Sequence, residues 1–255
     1  MAPKNEIKIK KLIDEHVPGT VMVASWLESR GISYDLQKHY RRNSWLESVG
    51  TGAFKRPNES VTWKGGLYAL QKQLDIPVHV GGITALSILG YSHYFRISEE
   101  KIYLFSPLTY KLPAWFRKYS WSNPIQHANT SFLPDLLSLM EREEANFTII
   151  MSTAERAMLE YLYLTPRHLD MLEGYQVLSG LANLRPSVIQ ELLEKCSSVR
   201  VKRLFLYMSE KAGHQWFKLI NQSVLDLGKG DRSLVKKGIY NSAYRITIPR
   251  ELFEL

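Results

Sequence analysis

The chain has 255 residues, 45% of them apolar and 23% charged, enough for a real core in one large or two smaller domains of an ordinary soluble globular protein. Its single cysteine, Cys196, excludes an intramolecular disulfide and fits a reducing cytoplasm. No apolar stretch approaches the ~20 residues that span a bilayer, and no apolar run follows the Lys-rich start, so no secretory signal is expected. The formal net charge of +8 favours anionic partners through Coulomb attraction and counterion release. Charge alone does not separate a nucleic-acid binder from a protein that is merely basic.

Taken in chain order, Asn5 to His16 places Ile9, Leu12, Ile13 and His16 on one helical face, with Pro18-Gly19 as the stop. Thr20 to Val23 is a short β-like run. Ser25 to Arg30 is a short helix ended by Gly31, and Ser33 is placed to cap a third helix, Tyr34 to Asn43. Trp45–Val49 and Ala53–Arg56 read as two strands about the turn Gly50-Thr51-Gly52. Pro57 to Ser60 reads as a linker-like break. Val61 to Leu74 has a helical register, with Gly65 and Gly66 suggesting close packing. Val78–Val80 is a short strand, with His79 more suited to a core than to a ligand role, and Gly82–Leu89 an apolar helix. Lys101–Phe105 and Phe147–Met151 are strand-like. Thr153–Leu164, with Thr153 as a simple cap, and Ser187–Cys196 are helical; Val199–Glu210 fits helix or strand. Tyr244–Ile248 is a strand by its β-branched content.

The segment from Val17 to Arg56 orders these elements as a winged helix-turn-helix, which lays one helix in the major groove. On a helical wheel Leu36 and Tyr40 fall on the packing side of the third helix. Tyr34, Lys38, Arg41 and Arg42 fall on the other, with Gln37 at the flank. Arg and Lys bond guanine edges, Gln an adenine edge, and any of them a phosphate. A solvated charged face has the same composition; the preceding helix and the following hairpin favour the reading head. Trp26 and Trp45 read as core anchors rather than base-stacking residues.

Signals for catalysis are weak. No phosphate loop, H-E-x-x-H, G-x-S-x-G or C-x-x-C is present. His93 in YSHYF suits aromatic packing. Glu99-Glu100 and Asp135 are not in a nuclease arrangement, and Glu141, Glu143 and Glu144 read as a solvated turn. Gly228 to Arg232 admits either a small anion nest or, more simply, a surface turn. No metal or cofactor is called for, and no enzyme activity is expected.

Long stretches carry a resemblance: PGTVMVASWLESRGIS, SWLESVGTGAFKR, WKGGLYALQKQLDIPVHVGGITALSILGY, LRPSVIQELLEKCSSVRVKRLFLYMSEKAGHQWF and LDLGKGDRSLVKKGIYNSAYRITIP. They are similar to the AbiEi family, antitoxins of type IV (abortive-infection) toxin–antitoxin systems, over nearly the whole chain. The resemblance implies an N-terminal winged helix-turn-helix that binds inverted repeats in its own promoter, as two copies of the protein on double-stranded DNA. It also implies a C-terminal domain that neutralises a nucleotidyltransferase-like toxin, with or without a stable complex. The DNA-reading role then falls on Ser33, Tyr34, Gln37, Lys38, Arg41 and Arg42, and on Thr51, Lys55 and Arg56 of the wing. The antitoxin role falls loosely on Lys202, Arg203, Lys211, Lys229, Arg232, Lys236 and Lys237.

The expected fold class is therefore α+β. A winged helix-turn-helix occupies residues 1–57 within an N-terminal region 1–95, and a larger mixed α/β antitoxin domain occupies 96–255. The leading function is autorepressor and antitoxin. A DNA-processing enzyme with a winged-helix targeting domain is the alternative, and a pure protein-interaction module a third reading.

Overall fold

The computed structural model describes residues 4–91 and 101–255, with side chains from Ile9 onward. Two compact units interleave along the chain. The first gathers described residues of 1–79, 109–125 and 141–150; the second gathers those of 80–108, 126–140 and 151–255. The fold is α+β, a winged helix-turn-helix followed by a larger mixed body. His93, Glu99 and Glu100 lie outside the described residues.

The chain begins with α1 (Lys4–Glu15), β1 (Met22–Val23), α2 (Ala24–Ser29) and α3 (Tyr34–Arg42), then the hairpin β2 (Glu47–Gly50) and β3 (Ala53–Lys55). These strands form one antiparallel sheet in the order β1-β3-β2, with Met22 opposite Phe54 and Glu47 opposite Lys55. Beneath it Leu12, Leu27, Ile32, Tyr40, Leu46 and Phe54 form a continuous apolar core. Ile13, expected on the buried face of α1, is 41% exposed. It sits roughly 100° around the helix from Leu12, past the edge of the contact.

The expected break at Pro57–Ser60 is instead a clamp. The Glu59 carboxylate accepts the Gly19 amide at 2.7 Å and pairs with His16 Nε2 at 3.0 Å. Beyond it α4 (Trp63–Tyr68) passes into a π-helical turn at Ala69–Gln73. Gln73 there receives the Val23 amide at 2.9 Å and donates to the Val21 carbonyl at 2.7 Å, completing β1 as a neighbouring strand would. The expected close approach at the paired glycines is present. A Cβ on Gly65 would lie 1.8 Å from the Gly19 carbonyl oxygen, and one on Gly66 would lie 2.6 Å from the Trp121 ring.

The remaining elements are β4 (His79–Val80), α5 (Gly82–Ile88), β5 (Ile102–Ser106), α6 (Ala114–Lys118), β6 (Ile125–Asn129), β7 (Leu139–Glu143), β8 (Thr148–Ser152), α7 (Ala154–Leu164), α8 (Met171–Ser179), α9 (Pro186–Lys195), α10 (Val199–Lys211), β9 (Arg232–Ser233), β10 (Ile239–Asn241), β11 (Ile246–Ile248) and α11 (Arg250–Glu254). A five-stranded sheet runs β6-β5-β4-β8-β7, and a small sheet runs β10-β11-β9. His79 is buried, as a core histidine should be. Thr153 stands at the start of α7 but makes no capping hydrogen bond, contrary to expectation.

Helix α7 is buried along nearly all its length, polar residues included. Glu160 accepts Arg156 Nε at 2.7 Å, Ser152 Oγ at 2.8 Å and the Gly82 amide at 3.0 Å, while Arg156 donates to the carbonyls of Pro134 and Leu137. This ion pair is tolerable in the interior because its polar atoms find partners. The ambiguous stretch from Val199 is helix α10. Val201 to Ser209 are all buried, so no polar face marks a period.

Candidate nucleic-acid interface

The turn between α2 and α3 is built by Gly31. Its φ of 78° lets the Gly31 amide reach the Glu28 carbonyl and the Ile32 amide reach Leu27, closing a Schellman motif. Leu27 and Ile32 pack together in the core behind it. Ser33 then caps α3, accepting the Leu36 amide at 3.4 Å. Asp35 occupies its first turn and His39, Arg41 and Arg42 its last, in accord with the helix dipole.

Two side chains hold α3 against the rest of the module. Tyr40 is fully buried. Gln37 corrects the sequence reading: it is 2% exposed, not at the flank of an open face. Its amide nitrogen donates to the Ala24 carbonyl at 3.0 Å and the Ile32 carbonyl at 2.9 Å. An amide consumed in two backbone bonds inside the protein does not reach a base edge.

The opposite face is open. Tyr34 is 52% exposed, and Lys38, Arg41 and Arg42 are exposed. Lys38 pairs with Asp35 at 3.3 Å, a solvent-exposed contact of little net worth. Among the described residues neither Arg41 nor Arg42 has a carboxylate partner, so both guanidinium groups are unneutralised. Trp45, expected as a core anchor, is 37% exposed, with its ring 5.4 Å from that of Tyr40. Trp26 is half-buried beneath the Arg30 guanidinium.

The wing follows directly. Its strands are offset by a bulge at Val49, Thr51 is exposed at the tip, and Gly52 has a φ of 76°. The Gly52 carbonyl accepts the Ala24 amide at 2.8 Å, tying the tip to the start of α2. A Cβ on Gly50 would meet the Trp115 Cβ at 2.8 Å, so α6 backs the wing. Lys55 is less available than expected. It bonds the Glu59 carbonyl at 3.0 Å and Glu47 at 3.2 Å, because cross-strand pairing turns it along the hairpin. Arg56 is half-buried.

The cationic set from the second half of the sequence does not form one exposed surface, because two of its members are buried. Lys202 is 3% and Arg203 2% exposed, on a helix whose surroundings enclose it on all sides. Arg203 donates to the carbonyls of Leu227, Gly228, Gly230 and Arg245 at 2.7–3.1 Å. The Gly228–Arg232 turn therefore points carbonyl oxygens at a buried cation, the reverse of an anion nest, and the surface-turn reading holds. Lys211 is half-buried and bonds the Phe253 carbonyl, Arg232 is half-buried, and Lys229, Lys236 and Lys237 are exposed.

A family model described as transcriptional regulator, AbiEi antitoxin, type IV TA system matches residues 99–249, and one for the AbiEi antitoxin N-terminal domain matches residues 5–97. The chain belongs to the AbiEi antitoxin family. An AbiEi chain is thus placed among the antitoxins and transcriptional regulators of type IV systems. Among solved structures, the Rv2827c protein from Mycobacterium tuberculosis is similar, with a TM-score of 0.58 and 14% identity, covering 96% of this chain and 92% of that one. At that identity the likeness concerns the fold alone. No curated protein matches the chain. Among the described residues no AbiEi helix is long and apolar enough to cross a membrane, and no His, Cys, Asp or Glu group has metal-holding geometry.

Proposed function

We propose that this AbiEi protein represses its own promoter by placing α3 in the major groove of an inverted repeat, with the wing on the adjacent backbone. One observation carries this reading: the back of α3 is locked by Gln37 and Tyr40 while Tyr34, Lys38, Arg41 and Arg42 face outward together. A rigid helix with unneutralised guanidinium groups suits a groove ~12 Å wide lined by phosphates. Ser33 and Thr51 complete the contact surface, and Arg56 contributes positive potential beside it. Two copies occupy two half-sites, whose centres lie ~34 Å apart if separated by one helical turn.

The second role in this reading is neutralisation of a nucleotidyltransferase-like toxin by the region 96–255, with Lys229, Arg232, Lys236 and Lys237 as its accessible cations. No catalytic step by this chain is invoked. Footprinting of the upstream region with the full chain tests the repressor role: protection of two symmetric half-sites is expected, and uniform weak protection would overturn it. Growth on co-production with the toxin tests the antitoxin role.

A further inference from the structure

A cleft of about 520 Å³ lies within the second unit, and none of the residues assigned to DNA lines it. Its walls come from β6, the end of α7 with the turn after it, the start of α10, and Ser233-Leu234. Arg167, Arg200, His127 and His168 line it, and no carboxylate does. Gln126 and Asn129 add amide groups and Ser198 a hydroxyl.

The two arginines differ in role. Arg200 is half-buried and fixed, donating to the carbonyls of Thr165 and Tyr163. Those acceptors are neutral, and among the described residues no carboxylate pairs with it. Burial disfavours its protonated form, Tyr163, whose ring lies 5.9 Å from the guanidinium, partly offsets this, and the positive charge of nearby Arg167 adds to it. Arg167 is exposed and, among the described residues, has no acidic partner. Two guanidinium groups facing one cleft without an acid are an arrangement that an anion stabilises. Inorganic phosphate alone would leave much of the space empty, since ligand sites of ~300–1,000 Å³ take whole small molecules.

We infer that this cleft binds a phosphate-bearing ligand of nucleotide size, with Arg167 and Arg200 on the phosphates and the Gln126 amide beside them. Arg200 is the preplaced cation; Arg167, on an exposed turn, supplies the second from the cleft wall. His127 is held neutral by burial, with its pKa down at about 4, and its Nε2 is 2.8 Å from Ser106 Oγ. It shapes the wall rather than supplying charge.

The test is calorimetric titration of the full chain with pyrophosphate, with ATP, and with a short single-stranded RNA carrying or lacking a 5′ phosphate. Saturable binding of pyrophosphate or of either phosphorylated probe is expected, weakened about tenfold or more by Arg167→Glu. Lys218→Glu, at an exposed position that does not line the cleft, should leave it unchanged. ATP binding tighter than the RNA identifies a free nucleotide as the source; RNA binding that needs its 5′ phosphate identifies a nucleic-acid end. Thermal unfolding of Arg167→Glu checks that the fold is intact. No saturable binding of any probe at millimolar concentration, or equal affinity in wild type and Arg167→Glu, would overturn the inference.

Discussion

The side-chain amide of Gln37 lies 3.0 Å from the carbonyl of Ala24, joining the middle of α3 to the first residue of α2. The same nitrogen bonds Ile32 in the turn between those helices. One buried polar group thus sets the angle at which α3 is presented. Truncation to Gln37→Ala leaves two buried carbonyls without this donor and should cost about 1–3 kcal/mol of stability. Urea unfolding reads the loss directly. A stability equal to wild type would mean that the packing around Tyr40 orients the helix unaided.

Arg41 and Arg42 are the open cations of α3, and their substitution separates two kinds of contact. Should Arg41 read a base edge, Arg41→Ala loses about 1–3 kcal/mol on the specific duplex and relaxes preference at one position. Should it touch a phosphate, binding weakens on all duplexes alike and the salt slope falls by about one. Fluorescence anisotropy on specific and scrambled duplexes at two salt concentrations distinguishes these outcomes. Unchanged binding in both Arg41→Ala and Arg42→Ala would remove α3 from the interface.

Arg203 gathers four carbonyls from residues 227–245 onto the buried side of α10. Arg203→Ala strands those oxygens and should destabilise the small C-terminal sheet by ~3 kcal/mol or more. Hydrogen exchange should show amides of β9, β10 and β11 losing protection, with those of β1 to β3 unaffected. Equal protection in both proteins would show that Ile246 and Ile248 hold the sheet by packing alone.

Acid should weaken the fold in two stages. His127 is held near pKa 4 by burial, against 6.5 for a free imidazole, so the unfolded chain takes up its proton first. That contribution is present above pH 6.5 and lost as pH falls towards about 4. Burial raises the Glu155 pKa, but hydrogen bonds from Arg185 at 2.9 and 3.0 Å outweigh it, and the result is about 2. Its contribution is present above about pH 4.5 and lost as pH falls through about 2. At ~1.4 kcal/mol per pKa unit, each is worth ~3.5 kcal/mol at most. Melting temperatures across pH 7.5 to 3 should show both slopes. His127→Gln should flatten only the upper stage, and Glu155→Gln only the lower.

Much of the N-terminal module was legible in the amino-acid order, because its determinants are local. Gly31 ends α2 through its own φ angle, Ser33 caps α3 through its own hydroxyl, and Gly50-Thr51-Gly52 turns the hairpin within a few residues. The family was legible for the same reason: whole stretches of sequence carry it.

What the order of residues left undecided depended on partners distant along the chain. A helical wheel puts Arg41 on the open face and Gln37 at its flank, both within the set suited to DNA, yet α2 and its turn take Gln37 inside and leave Arg41 out. Glu59 sits in a Pro/Asn/Ser-rich break, and only the approach of His16 and Gly19 makes it a clamp. Lys202 and Arg203 read as surface charge until α10 is enclosed by its neighbours. Periodicity reports which face of a helix prefers burial; it does not report whether a second layer covers the other face. Only the tertiary structure brings separated segments to one place, and with them the low-dielectric surroundings that decide whether a polar side chain binds a partner molecule or the protein itself.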